Sequence, residues 1–202
     1  EILTWGNAQK GGDSSASTHK LSTSTITEIF STSAAFAALC EDGSVLTWGD
    51  PVFGGESQHL ADRLDGSNKV VDIVANRGAF VAIHEDGMLT SWGVDGFGAD
   101  SLSVKGLLKG SDATIEDAMA TDRGFALLMS DAKLITWGDF GDDYNTDIIS
   151  VMSETTDVED IFASDAAFAA LVSPEKWEGH APISYAGSQE AVADLNFKVE
   201  YI

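Results

Sequence analysis

A Trp-Gly pair recurs along the chain at Trp5, Trp48, Trp92 and Trp137, at separations of 43, 44 and 45 residues. A Phe stands twelve residues before three of these tryptophans, at Phe36, Phe80 and Phe125, and Phe168 follows at the same period. A fixed period in the forties built on short alternating segments predicts one β-unit per repeat, arranged as a propeller or a related array. The expected fold is therefore all-β, a small propeller of four repeats over residues 1–173, followed by a non-repeat extension over 174–202.

Each unit reads as three strands and a connector. In the second strand, alternation sends Phe80 and Ala82 to one face and Val81 and Ile83 to the other. An Asp-Gly turn with Gly43 and Gly87 follows in the first two complete repeats, a dipeptide expected where both central residues adopt positive φ. The third repeat has Asp131-Ala132-Lys133 there, which suggests a different turn type. The connector reads Gly11-Gly12-Asp13-Ser14, Gly54-Gly55-Glu56-Ser57 and Gly98-Ala99-Asp100-Ser101, with Leu21, Leu64 and Leu108 ten positions after each first Gly. Val151 holds that place after Gly141. An acid and a Ser at that point are good helix-start residues, so a short helix or turn is expected to cover the blade edge. A phosphate cradle is a poorer reading of the glycines, because no Lys stands beside them and an acid does.

Eleven basic residues face 33 acidic ones in 202, a formal charge of −22. Such a field repels phosphate backbones and argues against a nucleic-acid partner. It favours basic partners or simply solubility. Cys40 is the only cysteine, so neither an intrachain disulfide nor a thiolate metal cluster can form. The four histidines, His19, His59, His84 and His180, show no metal-ligand spacing, and no cofactor fingerprint is present. No apolar run is long enough to span a bilayer. The chain begins inside a repeat, which places any targeting segment upstream or marks it as removed.

The Phe strand, the Asp-Gly turn, Val45-Leu46-Thr47-Trp48-Gly49 and the following Gly54-Gly55 resemble the regulator of chromosome condensation family of β-propeller repeats. The resemblance covers residues 1 to about 173 and is nearest to short arrays abundant in photosynthetic protists. The units are shorter than the namesake's, four stand in place of seven, and Arg77-Gly78-Ala79 replaces the usual Gly-His pair before the second strand. The family includes an exchange factor, a photoreceptor, enzyme inhibitors and recognition domains, so no activity follows from its fold. The resemblance implies that Trp5, Trp48, Trp92 and Trp137, with Phe36, Phe80, Phe125 and Phe168, are packing residues between blades.

Nothing breaks the repeat pattern to supply a nucleophile, base or metal set. The expected function is a non-catalytic interaction scaffold, a peripheral subunit of a larger protein assembly. The protist-like repeats point to a plastid complex, with the chain peripheral to the membrane. A secreted adhesive propeller and a carboxylate-based hydrolase are the alternatives. Two further expectations concern the ends. Residues 2–6 read as the third strand missing from the last repeat, so their pairing would close the ring; an open arc capped by a partner is the other arrangement. The extension leaves the blade plan at Pro174 yet carries Trp177, Tyr185, Phe197 and Tyr201, which mark it as the expected partner-binding element.

Overall fold

A computed structural model describes residues 2–109, 111–139 and 158–172. Among these residues eleven strands form three three-stranded antiparallel sheets and one of two strands. Blade 1 is β1 (Ile26–Ser31), β2 (Ala35–Cys40) and β3 (Val45–Gly49). Blade 2 is β4 (Val70–Ala75), β5 (Ala79–His84) and β6 (Leu89–Gly93), and blade 3 is β7 (Ile115–Ala120), β8 (Gly124–Met129) and β9 (Leu134–Gly138). Blade 4 holds β10 (Val158–Ala163) and β11 (Phe168–Val172). The connectors carry short helices, α1 (Thr18–Thr23), α2 (Ala61–Leu64) and α3 (Leu102–Leu108). Their leucines, Leu21, Leu64 and Leu108, are all buried.

The second strands of blades 1 to 3 are largely buried on both faces, and the alternation decides which neighbour each face meets. Ala35, Ala37 and Leu39 of blade 1 pack in one cluster with Ile73, Phe80, Ala82 and Trp92 of blade 2. The opposite face of blade 2, through Val81 and Ile83, packs with Phe125 and Trp137 of blade 3. Ala126 and Leu128 of blade 3 then meet Ile161 and Val158 of blade 4. Each blade thus offers a small-residue face forward and a Phe-Trp face backward.

The Phe and Trp stand opposite each other across the second and third strands, at Phe36↔Trp48, Phe80↔Trp92 and Phe125↔Trp137. Their rings stack at centroid distances of 5.3, 5.1 and 5.4 Å. The indole N–H of each Trp donates to the first connector glycine of the preceding repeat: Trp48 to Gly11, Trp92 to Gly54 and Trp137 to Gly98, at 3.0–3.1 Å. That glycine sits on the Phe ring. A Cβ at Gly54 would lie 2.8 Å from Phe80 Cδ2, and its φ of +94° disfavours other residues as well. One glycine carbonyl and one aromatic pair therefore fasten each connector to the following blade.

Three expectations are corrected. First, the Asp-Gly turns place only their glycines at positive φ, Gly43 at +80° and Gly87 at +77°. The N–H of Gly43 donates to the Cys40 carbonyl, so Glu41 and Asp42 are the central residues of a turn that the left-handed glycine completes. The third repeat keeps this turn: Ala132 takes the left-handed place at φ 61°, because the Asp131 carboxylate still accepts from the Lys133 N–H and the hairpin register leaves no other path. Second, the connector serines do not cap helices. Ser57 and Ser101 lack a side-chain cap bond, and Ser57 Oγ instead meets Thr47 Oγ at 3.0 Å while Ser101 Oγ meets Ser91 Oγ at 2.6 Å.

Third, residues 2–6 do not join the last blade in the structure. They lie outside any strand, and the β10–β11 sheet has two strands among the described residues. Trp5 is 84% exposed, against 4%, 2% and 1% for Trp48, Trp92 and Trp137. The segment stays with its own connector, where Thr4 Oγ1 meets Ser14 Oγ at 3.0 Å and Ile2 packs against the cluster of Leu21 and Trp48. Among the described residues no Phe strand lies beside the Trp5 indole and no ring stacks on it.

Candidate interaction site

The hairpin joining the first and second strands of each blade turns at residues of matching repeat position. Four residues before each Phe stands a small polar side chain: Thr32, Asn76, Thr121 and Ser164. Each accepts from backbone N–H groups of its own turn, as Asn76 Oδ1 does from Gly78 and Ala79 at 2.9 and 2.8 Å, and Ser164 Oγ does from Ala167 at 3.1 Å. Thr32 and Asn76 also donate to connector carbonyls, at Phe53 (3.1 Å) and Phe97 (2.7 Å). These side chains fix the loops rigidly to the blades.

One residue further on, the loop tips carry Ser33, Arg77, Asp122 and Asp165. A series of main-chain bonds links them from blade to blade. Ser33 N–H donates to the Arg77 carbonyl at 3.0 Å, Arg77 N–H to Asp122 at 3.3 Å, and Asp122 N–H to Asp165 at 2.7 Å. The four loops together border a cavity of ≈ 450 Å³. Across its rim the Arg77 guanidinium lies 3.8 Å from the Asp122 carboxylate, both side chains about half exposed or more. The neighbouring Arg123 turns away, pairing with Asp139 at 2.6 Å and lying over the Phe97 ring at 4.9 Å. The rim can hold charged or hydrogen-bonding groups of a partner through one cation, two carboxylates and a hydroxyl.

A larger groove of ≈ 980 Å³ runs along β3 beside the connectors. Its walls are tied by the repeat's own bonds, Ser17 Oγ to the Thr47 carbonyl and Thr47 Oγ to Ser57 Oγ. The rim of loop tips differs from it in presenting an exposed ion pair, Arg77 with Asp122, beside Ser33 and Asp165.

Of the residues read from the sequence, the structure brings Phe36, Phe80 and Phe125 onto Trp48, Trp92 and Trp137 and puts Gly43 and Gly87 in their turns. Phe168 opens β11 opposite Ala163 and packs at the blade 3–blade 4 cluster. Trp177, Tyr185, Phe197 and Tyr201 lie outside the described residues. The loop-tip residues were missed by reading motifs; the signal was a Thr, Asn or Ser four positions before each Phe, the mark of a side-chain-closed turn. His84 is occupied structurally, its Nδ1 2.9 Å from the Asn68 carbonyl and its Nε2 2.8 Å from Thr90 Oγ1. Among the described residues no group of three His, Cys, Asp or Glu side chains is placed to hold a metal ion. No described helix is long and apolar enough to cross a membrane.

No family profile and no curated protein matches the chain. Solved structures do. Human WBSCR16 is 15% identical with a TM-score of 0.52, over 76% of this chain and 46% of that one. Yeast RCC1 (Prp20), solved bound to Kap60, gives 15%, 0.52, 74% and 42% by the same measures. Prp20p from Saccharomyces cerevisiae, solved again in work on its binding to Gsp1p and histones, gives 14%, 0.50, 80% and 44%. The chain spans less than half the length of these structures. Repeats, blade order and these likenesses together establish a β-propeller repeat fold.

Proposed function

We propose that the chain is a protein-interaction module, a non-catalytic scaffold that serves as a peripheral subunit of a larger protein assembly. The observation that carries this reading is the contrast between adjacent positions in the hairpin loops. The position that fixes each loop keeps one chemistry across the repeats, while the next one presents Ser33, Arg77, Asp122 and Asp165 on the rim of the cavity. Diversified side chains on rigidly held loops are how scaffolds read partners. The likeness to yeast Prp20 supports the reading at the level of fold, since that protein is seen bound to Kap60. The charge of −22 adds a preference for a basic partner surface, approached fastest at low ionic strength.

Residues 174–202 are proposed as a second docking element, with Trp177 and Tyr185 as anchors and Phe197 and Tyr201 beside them. Native co-purification tests both. Replacing Arg77, Asp122 and Asp165 together by Ala, all at the loop tips, is expected to leave the melting temperature close to the parent's and to release the bound partner. Truncation after Ser173 is expected to do the same. A triple variant that retains its full set of partners would rule out the loop rim as the contact surface.

A further inference from the structure

Propeller blades are typically sheets of four strands, whereas blade 1 has three among the described residues, with β3 outermost. The phase of the β2–β3 ladder says which groups of β3 face outward. Cys40 N–H donates to the Ser44 carbonyl and Asp50 N–H to the Ala34 carbonyl, both at 2.9 Å. Between these two bonds the residues alternate, so Val45, Thr47 and Gly49 turn their N–H and C=O groups away from β2. Along that edge a single antiparallel bridge, Ser44↔Asp65, stands where a fourth strand would begin. Asp65 follows directly on α2, which takes the chain out of line with the sheet.

Past the bridge, the edge is the floor of the groove of ≈ 980 Å³. The walls are the two connectors, one on each face of the sheet: Leu21 of α1 packs with Ala38 and Trp48, and Leu64 of α2 with Ala37, Leu39 and Val45. Ser17 donates to the Thr47 carbonyl at 3.2 Å, a hydroxyl where a neighbouring strand would place an N–H. The Val45 carbonyl and the Thr47 N–H face the same way and are spaced for one pair of ladder bonds. The matching slot beside β6 is smaller, at ≈ 300 Å³. There Ser91 Oγ, at the Thr47 position, donates to the Ala99 carbonyl at 2.6 Å and ties the connector to the edge.

We propose that the slot beside β3 receives an extended segment of a partner protein, which adds a fourth strand to blade 1 and carries Lys or Arg on both of its faces. Strand addition takes its affinity from main-chain bonds and its selectivity from alternate side chains. The side chains of an added strand point in turn to one connector and the other. Asp13 stands on one wall, Glu56 and Asp65 on the other, and Asp50 at the end of the floor, against Lys20 as the one cation lining the slot. A basic segment is complementary to that lining and an acidic one is repelled. The proposal rests on the interaction reading, but the slot shares no lining residue with the loop rim, so either surface can fail while the other stands.

The probe is an acetylated, amidated octapeptide of two Thr-Lys-Lys-Thr units, which puts lysines on both faces of a strand. Its binding to the full chain is read by fluorescence anisotropy and by amide exchange. The Thr47 amide is expected to exchange freely in the chain alone and about tenfold more slowly with peptide bound, while Leu46 and Trp48, bonded to β2, are slow in both. Glutamate in place of lysine is expected to abolish binding. N-methylation of the central amides keeps the charge, removes the donors and is expected to weaken binding about tenfold. Asp13→Asn combined with Glu56→Gln is expected to weaken it about threefold to tenfold without lowering the melting temperature. No binding up to ~1 mM overturns the proposal. So does equal binding of the N-methylated peptide, unchanged binding by the double variant, or binding that leaves Thr47 exchange unaltered. A Thr47 amide already slow in the chain alone overturns it too, because the chain itself or a second copy then fills the slot.

Discussion

Blade 2 and blade 4 are built from the same repeat, yet one is sealed and the other is open. In blade 2 every residue of the central strand is buried, with Phe80, Val81 and Ala82 at 0% exposure. In blade 4 the matching strand leaves Ala169 and Leu171 in solvent. The same holds for the tryptophans: Trp92 is locked between the Gly54 carbonyl and Phe80, while Trp5 is exposed and meets no such pair among the described residues. The comparison shows that a repeat residue acquires its role from the next blade, as expected of a quasi-one-dimensional stack. Identical sequence marks identical potential, and packing decides whether it is used.

The sharpest way to break the comparison is at the two tryptophans. Trp92→Ala removes a buried aromatic and an indole bond, with an expected loss of about 3–5 kcal/mol in urea unfolding. Trp5→Ala is expected to stay within about 0.5 kcal/mol, as exposed positions do. Next comes Gly54→Ala, which forces a Cβ against Phe80 at a left-handed φ. Overpacking typically costs about 1–3 kcal/mol and the left-handed conformation about 1–2 kcal/mol more. The equivalent change at Gly6, whose Cβ would meet nothing within 4 Å, carries only the conformational part at φ +104°.

The turns give a smaller effect of opposite sign. Ala132→Gly supplies the residue that Gly43 and Gly87 already provide at that place, and is expected to stabilise by about 1 kcal/mol, read as a rise in the urea midpoint. Smallest is the response to acid. Hydrogen bonds from Ser44 hold Asp42 below the usual aspartate range, and the N–H of Met88 and the Lys133 side chain do the same for Asp86 and Asp131. A depressed folded value contributes stability that is present above the unfolded value and lost as pH falls through the folded one. A triple Asp→Asn variant at these positions is expected to lose less stability than the parent between about pH 4 and pH 2, with the difference small because the carboxylates are exposed. Equal acid responses would show that these turn bonds do not couple to folding.

The fold was legible because the blades repeat one spacing, and a Phe with a Trp twelve residues on fixes register in three of them, at Phe36 and Trp48, Phe80 and Trp92, and Phe125 and Trp137. What the spacing could not show was partnership. Trp5 and Trp48 stand in the same Thr-Trp-Gly context, yet one is exposed and the other buried. Thr47 and Ser57 look like a strand residue and a helix start, yet their hydroxyls meet because the connector folds back over β3. Ala132 hid a conserved turn geometry behind a changed residue, since turn type follows hairpin register as well as composition. The loop tips were least visible, because Arg77 and Asp122 vary where a repeat search looks for sameness.

Neighbouring blades decide which repeat residues are buried, and one pair of variants tests this most directly. Ile29→Ala and Ile73→Ala remove the same atoms from the same repeat position, on an open and a covered face. Measured by urea unfolding, Ile73→Ala is expected to cost about 2–5 kcal/mol and Ile29→Ala less than about 1 kcal/mol. Equal losses at the two sites would contradict the account.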